Sequence, residues 1–298
     1  MKNRFREIID LIWNNGGIFA MELTEKTLAL FLDQLALQER STGTIQKYGR
    51  DLQKLRAFAG EQIEEKAALI AFKEHLLQQG YAPASVNATL SAVNQYLKFM
   101  GFAGWQLRFL KIQRQVFRDQ EREMTGQEYQ RLVDRAKHEG NERLALLVQT
   151  IGSTGIRVSE LCGITVEAVR KGRAQIRLKG KTRLILLPRE LCRQLLDYCR
   201  KHKIKSGPVF ITRTGRPLHR SNIWRMLKKL ALAAKVRAKK VFPHNLRHLF
   251  AVTYYKKYKD VVRLADILGH SSIDTTRIYT ARSSGEQQRQ IEELRLVC

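Results

Sequence analysis

Three short islands hold side chains that could work on an anionic ester: Thr154-Gly-Ile-Arg157-Val-Ser-Glu160-Leu, His244-Asn-Leu-Arg247-His248, and Leu268-Gly-His270-Ser-Ser-Ile-Asp-Thr-Thr-Arg-Ile-Tyr279-Thr. Arg157 and Arg247 each present a planar fork of N–H donors and stay charged at any relevant pH. Two such forks suit the non-bridging oxygens of a phosphodiester, where charge gathers in a pentacoordinate transition state. A lysine does not reproduce that geometry. Tyr279 offers a phenol with an ordinary pKa near ~10, which becomes an effective nucleophile only as it loses its proton. His244 and His270 belong to the side-chain type that titrates near ~6.5 and can both give and take a proton. A Gly-His pair or an Arg near a helix start, taken alone, most often caps a helix or makes a surface ion pair. The joint occurrence points to chemistry.

Together the islands resemble the catalytic signature of the tyrosine recombinases, the phage integrase family: a first Arg, then His-x-x-Arg, then Gly-His and a Tyr. The resemblance implies that Tyr279 is the nucleophile, His244 a general acid or base, and His270 a hydrogen-bond partner of the phosphate held by Arg157 and Arg247. It also implies a lysine on a hairpin turn that protonates the departing 5′ oxygen. The match falls on Lys179 in Arg177-Leu-Lys179-Gly-Lys181, with Lys181 as the rival, because this turn is one residue shorter than the Gly-Lys-Gly-x-Lys form of close relatives. The implied reaction stores bond energy in a 3′-phosphotyrosine and needs no metal, nucleotide or other cofactor.

The implied partners are double-stranded DNA and further copies of the chain, a homo-tetramer on two DNA sites with a C-terminal helix at about 286–296 docked into a neighbour. The string Leu268-Gly-His-Ser-Ser-Ile273 looks like the Xer branch, but Thr280-Ala281-Arg282 follows the Tyr where that branch carries Thr-His. A mobile-element integrase is therefore expected over a chromosome dimer resolvase, with an invertase as a third role. Two readings from other classes are a catalytically silent DNA-binding protein of the same fold and a type IB topoisomerase. The intact residue set argues against silence.

Composition agrees with a polyanionic partner. Lys and Arg number 54 against 28 Asp and Glu, a formal net charge of +26, far above the ~2–8 that solubility asks of a small domain. Such a surface attracts phosphate backbones with little regard to sequence. No apolar run approaches the ~20 residues of a membrane span, and the N-terminus lacks a small-residue cleavage site, so a cytoplasmic location without a membrane partner is expected. Cys162, Cys192, Cys199 and Cys298 form no CxxC pair and read as buried, reduced thiols. His244 and His248 stand one helical turn apart as in a zinc site, but the glutamate of H-E-x-x-H is missing and a metal is not expected. Tyr254, Tyr255 and Tyr258 among lysines read as core packing plus a solvated basic face.

The elements that must position these residues are mainly α with a small antiparallel β-sheet. Residues 1–21 form an N-terminal extension. Residues 22–110 carry apolar positions at helical spacing, such as Leu28, Phe31, Leu32 and Leu35, which predicts four helices beginning near Thr24, Ser41, Glu64 and Pro83 with Gly60, Gly80 and Gly101 as stops. By resemblance this is the helical core-binding domain, in which the helix starts at Thr42-Gly-Thr-Ile and Ser85-Val-Asn-Ala face DNA. Residues 111–124 read as a basic linker. The catalytic domain, mixed α/β, covers 125–298 and opens with Thr125-Gly-Gln-Glu128, a reciprocal capping pattern. Ala174 to Pro188 alternates apolar and basic residues around Gly180, which predicts two short antiparallel strands. Helices are expected at 142–151, 157–163, 189–203, 221–235, 244–257 and 261–268.

Overall fold

The computed structural model describes residues 20–112, 122–178, 181–270, 272–279 and 292–294. The chain divides into two compact units, Met1–Arg114 and Gln115–Cys298. Both are mainly helical.

In the first unit four helices surround one core: α1 (Glu25–Leu37), α2 (Thr42–Ala59), α3 (Lys66–Gln78) and α4 (Pro83–Phe99). Their starts follow from local chemistry. Thr24 and Ser41 accept the amides of Thr27 and Thr44 with their side-chain oxygens, and Pro83 opens α4 where its missing N–H is no loss. The buried stripes are Leu28, Phe31 and Leu35 of α1, Leu52 and Leu55 of α2, Leu69, Phe72 and Leu76 of α3, and Val86, Leu90, Val93, Tyr96 and Leu97 of α4. Phe31 meets Tyr96 edge-on at 5.2 Å. The Tyr96 hydroxyl donates to the Glu22 carbonyl at 2.7 Å and lies 2.7 Å from the Thr27 hydroxyl, which satisfies the one polar atom of a buried ring.

Two features of this unit lie outside the periodic pattern. Strands β1 (Met21–Glu22) and β2 (Gln62–Ile63) pair antiparallel, with Met21 opposite Ile63. Met21, assigned from sequence to the extension, is thus buried in the core. Asn87 and Asn94 of α4 each close a two-bond amide pair with an extended segment, at Leu110 and Leu107 respectively.

The second unit begins with α5 (Gly126–His138), whose capping box is formed as expected: Thr125 Oγ1 accepts from Glu128 N at 3.1 Å, and the Glu128 carboxylate accepts from Thr125 N at 2.8 Å. Helix α6 (Glu142–Thr154) runs through the core with Leu144, Leu147, Val148 and Ile151 buried. The helix expected at 157–163 is a 3-10 helix, Val158–Gly163. A short α7 (Val166–Arg170) follows, then the hairpin β3 (Arg173–Leu178) and β4 (Lys181–Leu186), paired from Arg173 opposite Leu186 to Leu178 opposite Lys181. The remaining helices are α8 (Arg189–Lys201), α9 (Arg220–Ala233), α10 (Pro243–Tyr258) and α11 (Val261–Leu268).

Some expectations fail or fall elsewhere. Cys162 is exposed, against the expectation of a buried thiol, because it sits on the outer side of the 3-10 helix; Cys192 is half-buried and Cys199 buried. Tyr254 and Tyr255 pack partly buried against a small cluster, whereas Tyr258 is exposed. Lys179, Cys298, most of the 111–124 linker and most of the 286–296 helix lie outside the described residues. No helix among the described residues is long and apolar enough to cross a membrane.

Candidate active site

Helix α6 ends at Gly155, which adopts the left-handed conformation at φ 62° and closes the helix with its amide on Ile151. A side chain there would be strained, and its Cβ would stand 2.5 Å from the Phe250 ring. The turn delivers Arg157 to the start of the 3-10 helix. Its guanidinium donates to Glu160 Oε1 at 3.0 Å and to the Gly269 carbonyl at 3.0 Å, while its backbone amide donates to Glu160 Oε2 at 3.0 Å. Glu160 is only 2 % exposed. Its charge is compensated from two sides, since Arg183 of β4 also donates to Oε2 at 2.9 Å. A carboxylate so buried would cost several kcal/mol if left alone.

Arg247 projects from α10 and is 3 % exposed. It donates to the carbonyls of Gly155 at 2.6 Å and Leu268 at 2.7 Å, the C-terminal ends of α6 and α11. It has no carboxylate partner among the described residues. Burial, then the positive charges of Arg157 and Arg183, press its pKa below the ordinary guanidinium value.

His270 follows Gly269, the left-handed residue that ends α11. Its Nε2 lies 3.1 Å from an Arg247 nitrogen and its Nδ1 2.7 Å from the Thr276 hydroxyl. A guanidinium nitrogen only donates, so Nε2 accepts and the ring proton sits on Nδ1, directed at Thr276. Burial, with Arg247 and Arg157 adding to it, lowers the imidazole to about 4. His244, in the first turn of α10, is lowered by burial and by the same two arginines. Both imidazoles are therefore neutral at pH 7.

Tyr279 ends a 3-10 turn, Arg277–Tyr279, and is 1 % exposed. Its ring lies edge-on to His248 at 5.0 Å and nearly parallel to His270 at 6.1 Å. Burial raises the phenol above its ordinary pKa, opposed by the charge and a hydrogen bond of Arg247 and by the charge of Arg157.

The fold thus gathers Arg157, Arg247, His270, His244 and Tyr279 into one neighbourhood. Lys179 lies outside the described residues, and of its rival Lys181 only the backbone, opposite Leu178, is described. Sequence reasoning missed Arg183 and Thr276. Strand alternation could have found the first: Arg183 is in phase with the buried Ile185 and Leu187, out of phase with the exposed Leu184 and Leu186. Nothing in the sequence distinguishes Thr276 from its neighbours.

Residues 122–286 match the family model described as Phage integrase family, and residues 28–101 match that of the phage integrase N-terminal SAM-like domain. The chain belongs to the phage integrase family of tyrosine recombinases. Among family members, the tyrosine recombinase XerA of Pyrococcus furiosus is 30% identical over 92% of this chain and 96% of its own length. Among solved structures of the family, the Tn1549 transposon integrase in complex with circular intermediate DNA covers 91% of this chain and 99% of its own at TM-score 0.69 and 16% identity. A lambda integrase tetramer bound to a Holliday junction covers 93% of this chain and 85% of its own at TM-score 0.68 and 18% identity.

Proposed function

We propose that this recombinase cleaves and rejoins duplex DNA through a 3′-phosphotyrosine on Tyr279, without metal or nucleotide, as the integrase of a mobile element. The observation that carries the chemistry is the charge excess around Arg247. Among the described residues, Arg157, Arg183 and Arg247 face a single buried carboxylate, Glu160, so the described cluster holds more positive charge than it cancels. A phosphodiester entering it, gaining charge as the phosphorane forms, would balance the surplus. Attack forms the Tyr279 oxygen–phosphorus bond and breaks the bond to the 5′ oxygen. The phenol proton passes to His244, and the 5′ oxygen takes a proton from Lys179. Rejoining reverses both transfers, with the 5′ hydroxyl of a partner strand as nucleophile.

His270 must change its hydrogen bonding to serve the phosphate. Its Nε2 accepts from Arg247 in the free site. Donation to a phosphate oxygen needs a proton on Nε2, which the anion itself favours by raising the imidazole pKa. A cleft of about 470 Å³ beside His244, lined by Val158, Arg220, Trp224 and Lys228, leaves room for a strand to approach. The first unit, matched to the SAM-like model, is proposed as the second DNA-binding element, and a tetramer on two sites as the working assembly, by likeness to the lambda integrase complex.

The test is a nicked duplex that traps covalent protein. Wild type should give a denaturation-resistant adduct on its cognate site and Tyr279→Phe none; a wild type without adduct would leave a silent DNA-binding protein. Joint-molecule formation between two sites then separates strand exchange from relaxation by a topoisomerase. A second biological role, resolution of chromosome dimers, is favoured by the full-length similarity to XerA, whereas residues 280–282 and the charge favour the mobile element. Recombination of the sites flanking this gene supports the integrase; activity confined to a chromosomal site supports the resolvase.

A further inference from the structure

Arg183 lies on the hairpin, far in sequence from every motif island, yet it touches three parts of the site. One nitrogen, Nη2, donates to Glu160 Oε2 at 2.9 Å, on the carboxylate that also holds Arg157. The other, Nη1, donates to the Leu268 carbonyl and reaches the Ile267 carbonyl at 3.4 Å, at the end of α11. Its stem passes against Gly269, where an added Cβ would stand 2.6 Å from Arg183 Cδ. The Leu268 carbonyl is shared with Arg247, and the Gly269 carbonyl is held by Arg157. The glycine of the Gly-His pair is thus required twice, by its left-handed backbone at φ 63° and by the arginine stem that occupies the side-chain space.

We propose that Arg183 is a positioning residue for the cleavage reaction, fixing Arg157 through Glu160 and His270 through the Leu268–Gly269 turn. The inference rests on the proposed strand cleavage. Arg183 does not touch the phosphate; it sets where two groups that do will stand. Its Nε is buried with no hydrogen-bond partner among the described residues, a loss that the bonds made by the rest of the fork must offset. Because the guanidinium joins a strand to the ends of two other elements, displacement of the hairpin would be felt at both Arg157 and His270. A lysine could reach one acceptor at a time and would not hold both.

The experiment compares wild type, Arg183→Met and Arg183→Lys at saturating protein on the nicked trapping duplex, with either an ordinary phosphodiester or a neutral methylphosphonate at the scissile position. The neutral diester does not call on the arginine clamp to balance its charge. The Met variant is expected to form adduct about 100-fold more slowly on the phosphodiester and within about 5-fold of wild type on the methylphosphonate, the Lys variant falling between, with DNA affinity changed less than about 3-fold. Equal losses on both diesters, no loss, or a loss confined to affinity would overturn the proposal. If the Met variant does not fold, the Lys variant carries the same comparison.

A second readout does not depend on cleavage. Nitrogen NMR of His270 in the free protein should show the Nδ1–H tautomer in wild type, and in Arg183→Met a mixed tautomer population with a raised pKa. An unchanged His270 spectrum would sink the coupling even if adduct formation fell. A wild type that forms no adduct while its His270 responds to Arg183→Met would instead refute the cleavage reading and leave the structural coupling standing.

Discussion

Each unit buries charge, and the two do so in opposite ways. In the first, Asp51 of α2 is buried against two cations of its own helix, Lys47 and Lys54, and Lys47 also donates to the Ala88 carbonyl at 3.0 Å. The charge cancels locally and ties α2 to α4. In the second unit Lys240 is cancelled by Glu128 and Glu160 by two arginines, but Arg247, equally buried, rests on backbone carbonyls. Carbonyl dipoles orient a guanidinium without neutralising it. The first arrangement is complete in itself; the second leaves a buried positive charge that an anion would balance.

The largest effect should come from disturbing that incomplete site. Arg247→Lys keeps the charge but cannot span the Gly155 and Leu268 carbonyls and a phosphate together. Single-turnover adduct formation should fall about 10²–10³-fold, the usual cost of losing an oriented donor at developing charge. Lys47→Met in the first unit, which uncovers Asp51, should leave that rate within about 2-fold at saturating DNA while lowering stability. Comparable rate losses from both variants would erase the distinction between cancelled and uncancelled charge.

Glu160→Gln sharpens it from the other side. The amide keeps the shape but removes the one buried negative charge that, among the described residues, pairs with Arg157 and Arg183. Breaking a buried ion cluster in this way costs about 3–5 kcal/mol, so thermal unfolding of the second unit should move down by many degrees. Added phosphate or DNA, by supplying negative charge, should recover part of the loss. A variant as stable as wild type without any anion would mean that Glu160 serves packing alone.

How far all this could be read beforehand depended on the range of the interaction. Thr24, Ser41 and the Thr125–Glu128 box mark helix starts because a cap is settled within four residues. The hairpin was legible from its alternation. The β1–β2 pair was not, since two-residue strands have no period and pair across about forty residues of chain. Residues 157–163 scanned as a helix, but Arg157 and Glu160 are drawn to partners on β4 and α11, and the segment tightens into a 3-10 turn. The site residues stood out by chemical type. Arg183 did not, because by type it is one more basic residue in a chain of charge +26; only its phase with Ile185 and Leu187 on the strand sets it apart.

A milder perturbation is proton uptake. His270 is held near about 4 when folded and returns to about 6.5 when unfolded, so the unfolded chain takes up a proton in that window and the folded site does not. Stability contributed by the neutral imidazole is therefore present above about 6.5 and lost as pH falls toward 4, with His244 acting in the same direction. The melting temperature of the second unit should drop from pH 7 to pH 5, and His270→Gln should flatten the slope. A bound anion should raise the His270 pKa and narrow the window. Titration of His270 near 6.5 in the folded, ligand-free protein would remove the basis for this prediction.

The smallest effect belongs to the first unit, where neutral pairing replaces charge. Asn87 and Asn94 are seven residues apart, two turns of α4, which separates them by about 10.5 Å along the axis. Leu107 and Leu110 are three residues apart in extended chain, about 10 Å. The two repeats coincide, so each side-chain amide closes both bonds with the backbone of one residue: Nδ2 donates to the carbonyl oxygen at 2.9 Å and the backbone N–H donates to Oδ1 at 2.8 Å in both pairs. Asn94→Ala leaves a carbonyl and an amide of the half-buried stretch to water and should cost about 1–2 kcal/mol, read as a lower melting temperature and faster proteolysis around residues 106–112. Asn87→Ala, which removes the same two bonds at the half-buried Leu110 where Leu107 is buried, should cost less. Because both pairs immobilise the same four-residue stretch, Leu107 to Leu110, the double variant should cost less than the two singles added together. Strict additivity would show that each asparagine holds its own backbone residue independently, and the match between helix repeat and segment length would then carry no energetic weight.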